Sequence, residues 1–266
     1  MRHAEPADQN EHQQTPVDPA PAIEPSIDVA APLSPNEHSS EIRNIYITRT
    51  AGKVFFHNPG DGKDYVCSGS IVNSPAKNMV VTAGHCAYED KKWMEKFTFV
   101  PGYHNGDSPY GRFVSYNLGT LKGWSDGNSW GYDTAIAVVG KNSEGRTLVD
   151  AVGNFANGLQ VGGPYERDVT IIGYPADKDG GREQYNCQGK TAKASVFFPN
   201  QVTIGCALGG GSSGGPWLVD YQDKPDGTGV GLVHGDTSNG DIFHNLRSPY
   251  FTDAGQGNLY RKLANG

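Results

Sequence analysis

Short apolar runs, each bounded by glycine, proline, asparagine or aspartate, recur along the chain from Ile45 onward. The runs are shorter than a typical helix and rich in β-branched and aromatic residues, which favours strands. Glycine, with 36 of 266 residues, supplies the backbone conformations that tight turns between strands need. The pattern predicts an all-β chain of antiparallel barrels or a sandwich. The predicted strands span residues 53–56, 65–72, 79–82, 97–100, 135–139, 169–173, 193–198, 202–206, 217–219 and 230–234.

The two ends of the chain depart from this strand pattern. Residues 257–263 carry helical spacing, and we expect a short C-terminal helix there. Residues 1–44 are rich in proline and polar residues and contain no aromatic side chain. Such a segment buries too little apolar surface to offset its ordering entropy, which predicts an extended, disordered arm. The arm is either a linker or a propeptide, and the residues do not decide between the two.

Charge and hydropathy exclude two classes of partner. The formal net charge is −7 and no basic stripe is present, which argues against nucleic acid. No apolar run approaches the roughly 18 to 20 residues of a membrane span. The first residues lack the apolar region of a secretory signal, whereas an even number of cysteines favours an oxidising compartment. We expect a secreted protein whose signal lies outside this sequence.

Residues 211–216, Gly-Ser-Ser-Gly-Gly-Pro, contain a candidate nucleophile in Ser213. A serine hydroxyl reacts only when a turn exposes its oxygen and a neighbouring base accepts its proton. The glycines permit that turn, and the amides of Gly211 and Ser213 could point together at a developing oxyanion. A glycine-rich loop without a catalytic role has the same composition, so the assignment depends on two further segments.

Those two segments lie upstream and supply a base and an acid. His85 stands in Thr-Ala-Gly-His-Cys after an apolar run, and histidine titrates near neutral pH, as a general base must. Asp133 begins an apolar run, which places its carboxylate at the edge of a buried layer where it can orient the His85 ring. Asp90 and Asp126 are rivals, but neither leads into an apolar strand. The three segments together predict a triad of His85, Asp133 and Ser213.

In type, order and approximate spacing these segments resemble the chymotrypsin-fold, trypsin-like serine peptidases. The resemblance covers about residues 50–262 and includes residues 67–72, Cys-Ser-Gly-Ser-Ile-Val. Residues 169–178 are similar to the bacterial glutamyl-endopeptidase branch. The resemblance implies two antiparallel β-barrels, here residues 45–150 and residues 151–266 with the C-terminal helix, and a triad in the cleft between them. It also implies a secreted serine endopeptidase that cleaves proteins or peptides through an acyl-enzyme, as a monomer and without a cofactor.

The four cysteines fit the same resemblance. It implies a bridge between Cys67 and Cys86 beside His85, and it leaves Cys187 and Cys206 to pair across a hairpin that turns near residues 198–200. By count alone, four cysteines allow three connectivities. A zinc site of Cys67, His85 and Cys86 is an alternative, but the adjacent His85 and Cys86 have poor ligand spacing. We therefore expect two disulfides and no metal.

One departure from the family pattern concerns activation. Many trypsin-like enzymes carry an aspartate just before the nucleophile, and it pairs with a newly cut amino terminus to complete the site. Here that residue is Ser212, whose hydroxyl cannot form the ion pair. We expect any activation to depend on removal of the amino-terminal arm instead.

A second departure concerns specificity. Ala207 occupies the place where an acidic residue would select lysine or arginine. The glutamyl branch uses a histidine in the strand represented here by residues 231–236, and ungapped alignment puts Val233 there. His234, one residue later, faces the opposite side of a strand and is either a substrate contact or a histidine at the cleft edge. Ala207 and His234 are the candidate substrate contacts, and Asp236, if it faces the pocket, would disfavour acidic substrates.

Two other functions compete with a peptidase. A binding protein of the same fold that has lost turnover is one, but such proteins typically lack a triad member, and all three are present here. An α/β-hydrolase is the other, because residues 211–215 also satisfy Gly-x-Ser-x-Gly. That fold orders its triad serine, acid, histidine and alternates strands with helices, and this sequence does neither.

Overall fold

Strands account for most of the regular structure in the computed structural model, as the apolar pattern predicts. The structure describes residues 13–14, 26–33, 47–241 and 245–265. The α-helices are α1 (Lys122–Ser125), α2 (Leu148–Ala151) and α3 (Asn258–Ala264), and no helix in these ranges is long and apolar enough to cross a membrane. The strands are β1 (Gln13–Gln14), β2 (Ile27–Ala30), β3 (Ala51–Asn58), β4 (Lys63–Val72), β5 (Met79–Thr82), β6 (Tyr88–Glu89), β7 (Lys92–Trp93), β8 (Glu95–Pro101), β9 (Phe113–Thr120), β10 (Ala135–Val139), β11 (Gly158–Val161), β12 (Asp168–Gly173), β13 (Tyr185–Lys190), β14 (Ala192–Lys193), β15 (Gln201–Gly205), β16 (Pro216–Gln222), β17 (Val230–Asp236), β18 (Asn239–Gly240) and β19 (Asn245–Pro249).

Seven strands form the first barrel, in the order β1-β9-β10-β5-β4-β3-β8, and a further pairing of β9 with β8 closes the sheet. Strand β10 shows why a fully apolar run belongs here. Ala135, Ala137 and Val139 belong to the barrel core, whereas Ile136 and Val138 belong to a second core between the two barrels. Side chains alternate along a strand, so both faces of β10 need apolar residues.

The second half of the chain, together with β2, folds as two sheets that enclose a core of their own. Six strands run in the order β13-β12-β16-β17-β11-β2, and four run in the order β14-β15-β19-β18. Ile171, Trp217 and Leu246 belong to the core between these sheets. The predicted all-β architecture of two barrels is therefore confirmed.

The core between the barrels also holds the C-terminal helix. Leu259, Tyr260 and Leu263 of α3 pack there with Ile136 and Val138 of the first barrel. The predicted helix over residues 257–263 is confirmed with bounds shifted by one residue. Helix α3 is therefore part of the core that lies between the two barrels.

Both expected disulfides are present. Cys67 at β4 is bonded to Cys86 in the turn after β5, and Cys187 on β13 is bonded to Cys206 just beyond β15. Strands β13 and β15 belong to different sheets, so the second bridge joins the two sheets of the second barrel and does not cross a single hairpin.

The prediction of a disordered arm over residues 1–44 is wrong for residues 26–33. Strand β2 pairs antiparallel with β11, and Val29 and Ala30 pack against the core between the barrels. Gly158 makes room for this strand, because a Cβ there would lie 2.5 Å from the Ala30 carbonyl oxygen. Burial of the apolar residues at every second position of β2, together with pairing at an open sheet edge, offsets the conformational entropy lost when the segment becomes ordered. Apart from β1, the rest of the predicted arm lies outside the described residues.

One predicted strand, residues 193–198, is also wrong. Strand β14 ends at Lys193, and Val196 and Phe197 stand 89% and 85% exposed in the turn that follows. The longer strands that the apolar pattern missed are β9, β11, β13 and β19. Strand β9 buries polar Ser115 and Asn117, and β13 alternates exposed with half-buried residues, so neither reads as an apolar run.

Candidate active site

Two neighbouring strand ends bring His85 and Asp133 together. Strands β5 and β10 pair antiparallel with Thr82 opposite Ala135, so the end of β5 lies beside the start of β10. His85 follows β5 in a short 3₁₀ turn, and Asp133 precedes β10. The His85 amide donates to Asp133 Oδ1 at 2.7 Å, and His85 Nδ1 lies 2.8 Å from Asp133 Oδ2. This contact holds the ring in the tautomer with the proton on Nδ1, which leaves Nε2 as the acceptor.

The Asp133 carboxylate is fully buried and makes three hydrogen bonds. Besides the two from His85, Ser238 Oγ donates to Oδ2 at 2.6 Å. Gly84 is required beside it, because a Cβ there would lie 2.9 Å from Asp133 Oδ1. A buried carboxylate needs such donors to offset its desolvation. Ser238 was not predicted from the sequence, and no local motif marks it.

The environment of the His85 ring raises its basicity. Burial alone lowers the pKa of His85, but the charge and hydrogen bond of Asp133, with a contribution from Glu89, outweigh burial and raise the pKa above its ordinary value. The edges of Trp124 and Trp130 flank the ring at centroid distances of 6.2 and 6.1 Å. A base with this pKa and a fixed tautomer suits proton abstraction near neutral pH.

The loop that carries Ser213 packs directly against the strand end that leads to His85. The Ser68 amide donates to the Ser213 carbonyl oxygen at 2.7 Å. Gly214 has a φ of +78°, and a Cβ there would lie 2.7 Å from the Ala83 nitrogen. Only glycine permits both the conformation and the close approach. The sequence Ser-Gly-Gly therefore seats Ser213 beside the histidine turn.

The peptide at Gly211 is held in a fixed orientation. Gly211 has a φ of +94°, its carbonyl accepts from Ser68 Oγ at 2.8 Å, and the preceding Gly210 carbonyl accepts from the Ala176 amide at 2.7 Å. Within the described ranges neither the Gly211 amide nor the Ser213 amide donates to a protein acceptor. Two fixed amides without protein acceptors are suited to stabilise an oxyanion.

A cavity of about 570 Å³ opens beside Ser213. Asp177, Lys178 and Asp241 line it. Lys178 Nζ lies 3.7 Å from the Asp177 carboxylate, and Arg247 Nη2 lies 2.6 Å from the Asp241 carboxylate. The predicted contact Ala207 lines this cavity, so the structure brings Ala207 and Ser213 to one site. The buried members of the lining carry no charge: they are Cys206, Leu208, Ser212, Thr237, Ser238 and Leu246.

Similar proteins are known by sequence and by structure, although no protein-family model matches the chain. It is 29% identical over 167 residues to the extracellular metalloprotease of Bacillus subtilis, covering 62% of this chain and 50% of that protein. It is 28% identical over 165 residues to the glutamyl endopeptidase of Bacillus licheniformis, covering 61% and 48%. The chain spans about half the length of these curated relatives.

Solved structures match over more of the chain. The thermostable serine protease AL20 from an extremophilic microorganism is 29% identical with a TM-score of 0.73, covering 82% of this chain and 99% of that one. The protease Anisep of Arthrobacter nicotinovorans is 30% identical with a TM-score of 0.74, covering 84% of this chain and 99% of that one. The chain belongs to the chymotrypsin-fold, trypsin-like serine peptidases. The Bacillus licheniformis relative carries the name of the glutamyl-endopeptidase branch, to which residues 169–178 are similar.

The name of the Bacillus subtilis relative raises the question of a metal in this member of the serine peptidase family. In the described part of the chain, Cys67, His85 and Cys86 are the one group of three potential ligands whose ligand atoms lie within 4.8 Å of one another. Both sulfurs are bonded to each other, so neither cysteine offers a thiolate, and His85 Nδ1 already contacts Asp133. These residues do not fit a metal ion.

The structure places His234 outside this cavity and so gives no support to the prediction that it is a substrate contact. His234 lies on β17, is only 8% exposed and does not line the cavity. Thr237, Ser238 and Asn239 line it instead, just beyond the strand that ungapped alignment had selected. Register shifts in the β16–β17 pair make sequence spacing a poor guide to which residues reach the cavity.

Asp236 does not face the cavity either. It is fully buried, and its Oδ2 accepts from Thr134 Oγ1 at 2.7 Å. Burial, with the nearby Asp133 charge, raises the pKa of Asp236 well above its usual range. Asp236 therefore lies buried behind the His85–Asp133 pair and does not reach the cavity.

Ser212 takes a local structural role in this loop. It is buried, and its hydroxyl donates to the Gly209 carbonyl at 2.6 Å. The hydroxyl closes a turn within the loop, where the family's aspartate would reach for an amino terminus. This geometry agrees with the expectation that activation does not require such an ion pair.

Proposed function

We propose that the protein is a secreted serine endopeptidase that uses His85, Asp133 and Ser213 as its catalytic triad. The observation that carries this proposal is the 2.8 Å contact between His85 Nδ1 and the buried Asp133 carboxylate, beside a loop that packs Ser213 against the same strand end. A nucleophile, a base and an orienting acid at one site are the parts that acyl transfer needs.

In the proposed reaction, Ser213 Oγ attacks the carbonyl carbon of the scissile peptide bond and its proton passes to His85 Nε2. The amides of Gly211 and Ser213 stabilise the oxyanion, and loss of one such donor costs about 10²–10³ in rate. The carbon–nitrogen bond then breaks as His85 returns the proton to the leaving amine. Water, deprotonated by His85, then attacks the acyl carbon, the bond from that carbon to Ser213 Oγ breaks, and His85 returns the proton to Oγ, which releases the carboxylic acid and restores the Ser213 hydroxyl. Asp133 stabilises the imidazolium in both steps.

The cavity supports a preference for an uncharged side chain before the cleaved bond. Its buried lining carries hydroxyl and apolar groups only, whereas the charged residues that line it, Asp177, Lys178 and Asp241, are partly or fully exposed. A substrate charge among the buried members of the lining would lack a partner. Ala207 leaves no carboxylate to pair with lysine or arginine. A secreted location is supported by the two disulfides and by the name of the extracellular Bacillus subtilis relative.

Digestion of a peptide library, read by mass spectrometry, tests activity and preference together. The matched control is Ser213→Ala, which removes one oxygen atom from the site. We expect endoproteolytic products after uncharged residues with the unaltered protein and none with Ser213→Ala. Binding of peptides without cleavage by the unaltered protein would favour a binding protein of this fold, and cleavage that persists in Ser213→Ala would refute the triad.

A further inference from the structure

Lys53 is a buried cation outside the site described above. It lies on β3 and is only 4% exposed. Its Nζ donates to the Gly181 carbonyl at 2.5 Å and stands 5.1 Å from the ring centroid of Tyr103 and 5.5 Å from that of Phe55. No carboxylate in the described ranges pairs with it. A carbonyl and two aromatic faces therefore compensate the ammonium in place of an anion.

Burying this ammonium costs desolvation free energy, so we expect the charge to have a role that an apolar side chain could not fill. Burial lowers the pKa of Lys53, as expected for an ammonium removed from water. The neighbouring positions on β3 are filled by apolar residues, among them Val54 of the barrel core. An uncharged side chain of similar length would avoid the desolvation, but it could not hold the Gly181 carbonyl.

The carbonyl that Lys53 holds belongs to the segment 174–184, which connects β12 to β13. Other contacts fix the two ends of this segment: Tyr174 Oη donates to the Tyr103 carbonyl at 2.9 Å, and Gln184 Nε2 donates to Tyr174 Oη at 2.9 Å. Lys53 contacts the turn between those ends. A Cβ at Gly181 would lie 3.1 Å from both Lys53 Nζ and the Tyr174 carbonyl oxygen, so the ammonium sits directly under the turn.

The same segment supports the loop that precedes Ser213. The Ala176 amide donates to the Gly210 carbonyl at 2.7 Å. A Cβ at Gly211 would lie 2.7 Å from the Tyr174 carbonyl oxygen, so the two backbones are in direct contact. The orientation of the Gly210–Gly211 peptide, and with it the Gly211 amide, therefore depends on where the segment 174–184 lies.

We propose that Lys53 is a positioning residue for the oxyanion site: its buried ammonium anchors the segment 174–184, which holds the Gly211 amide in the orientation that catalysis needs. The proposal rests on the function proposed above. Many trypsin-like enzymes order this region with an ion pair between a cut amino terminus and an aspartate, but this chain has Ser212 at that position. In our proposal the ammonium of Lys53, an internal cation, orders the loop instead. Lys53 contacts no substrate and acts only through the backbone.

Two substitutions and a matched control test the role of Lys53. Lys53→Met keeps a long unbranched side chain and removes the charge, whereas Lys53→Arg keeps the charge. Lys77→Met removes a lysine that pairs with Asp150 at the surface of the first barrel. Two quantities are measured on each variant: kcat and KM for a peptide anilide, and amide hydrogen exchange of peptides that cover residues 174–184 and 209–215.

We expect Lys53→Met to lower kcat by about 10- to 100-fold, below the full loss of an oxyanion donor, because the donor is displaced and not deleted. KM should change by less than about threefold, since the cavity walls remain. Exchange should rise at the Ala176 amide and elsewhere in residues 174–184, and remain unchanged in the first barrel. Lys53→Arg should recover part of kcat, and Lys77→Met should match the unaltered protein.

Three outcomes would overturn the proposal. The first is a Lys53→Met variant with the kcat and exchange of the unaltered protein. The second is a variant that fails to fold or exchanges faster throughout both barrels, because Lys53 would then serve overall stability. The third is a rise in KM with kcat unchanged. If the unaltered protein shows no hydrolysis that depends on Ser213, the proposed function fails, and the exchange data still decide whether Lys53 orders residues 174–184 and 209–215.

Discussion

Replacing His234 should make the protein more resistant to acid while leaving peptide cleavage unchanged. The His234 ring is buried on β17, and its Nδ1 has no hydrogen-bond partner among the described residues. Burial, followed by the charge of Arg167, lowers the pKa of His234 to about 4, against a smaller opposing contribution from the Gln160 backbone. Protonation of His234 is therefore less favourable in the folded protein than in the unfolded chain.

The sign and size of the effect follow from this difference in pKa. The unfolded histidine titrates near 6.5 and the folded one near 4. Above pH 6.5 both states are neutral at His234 and the full stability is present. As the pH falls through this window only the unfolded chain takes up the proton, so the folded state loses stability. At about 1.4 kcal/mol per unit, the loss reaches about 3 kcal/mol near pH 4.

Urea unfolding at pH 7.5 and pH 4 measures this loss directly. His234→Gln and His234→Phe carry no titrating group at residue 234. The quantity compared is the change in the free energy of unfolding between pH 7.5 and pH 4 within each protein, whatever its value at pH 7.5. Between the two pH values both variants should lose about 3 kcal/mol less than the unaltered protein. Equal losses in all three proteins would refute the reasoning. Peptide cleavage at pH 7.5 that falls sharply in both variants would instead return His234 to the substrate site.

Three further predictions follow from the site. Asp133→Asn should lower kcat by about 10⁴-fold and move the acid limb of kcat/KM to lower pH, because the charge that raises the pKa of His85 is gone; an unmoved limb would contradict this. Ala207→Asp should raise the ratio of kcat/KM for lysine over leucine anilides by at least about tenfold, and an unchanged ratio would show that residue 207 does not contact the substrate. Asp236 has a raised pKa in the folded protein, so it contributes its full stability below its unfolded pKa and loses that stability as the pH rises. The free energy of unfolding of Asp236→Asn should therefore increase relative to that of the unaltered protein between pH 4 and pH 8. A stability difference that stays flat across that range in urea unfolding would mean that Asp236 titrates normally.

The sequence was most informative where chemistry and local structure coincide. His85 and Asp133 each adjoin an apolar strand, and pairing of those two strands is enough to bring the residues together. The glycines around Ser213 report a close approach of backbones, which a Cβ would prevent. These features are local, so a single sequence reveals them.

The rest of the site depends on contacts between distant segments. Ser238 reaches Asp133 across 105 residues of sequence, and no motif marks that contact. The position of His234 outside the cavity has the same origin, because register shifts in the β16–β17 pair change which residues reach the cavity. Residues 26–33 read as disordered because their partner, β11, lies far along the chain. Lys53 reads as the polar start of an apolar run, and only the fold shows that its ammonium is buried.

Labelling with a fluorophosphonate probe, followed by peptide mapping, tests the central claim most directly. The probe forms a covalent bond with a serine only when a base activates the hydroxyl and an oxyanion site receives the phosphoryl oxygen. We expect one label per molecule on Ser213, no label in Ser213→Ala, and greatly slowed labelling in His85→Ala. A folded protein that takes no label, or one that is labelled equally in Ser213→Ala, would contradict the proposed triad.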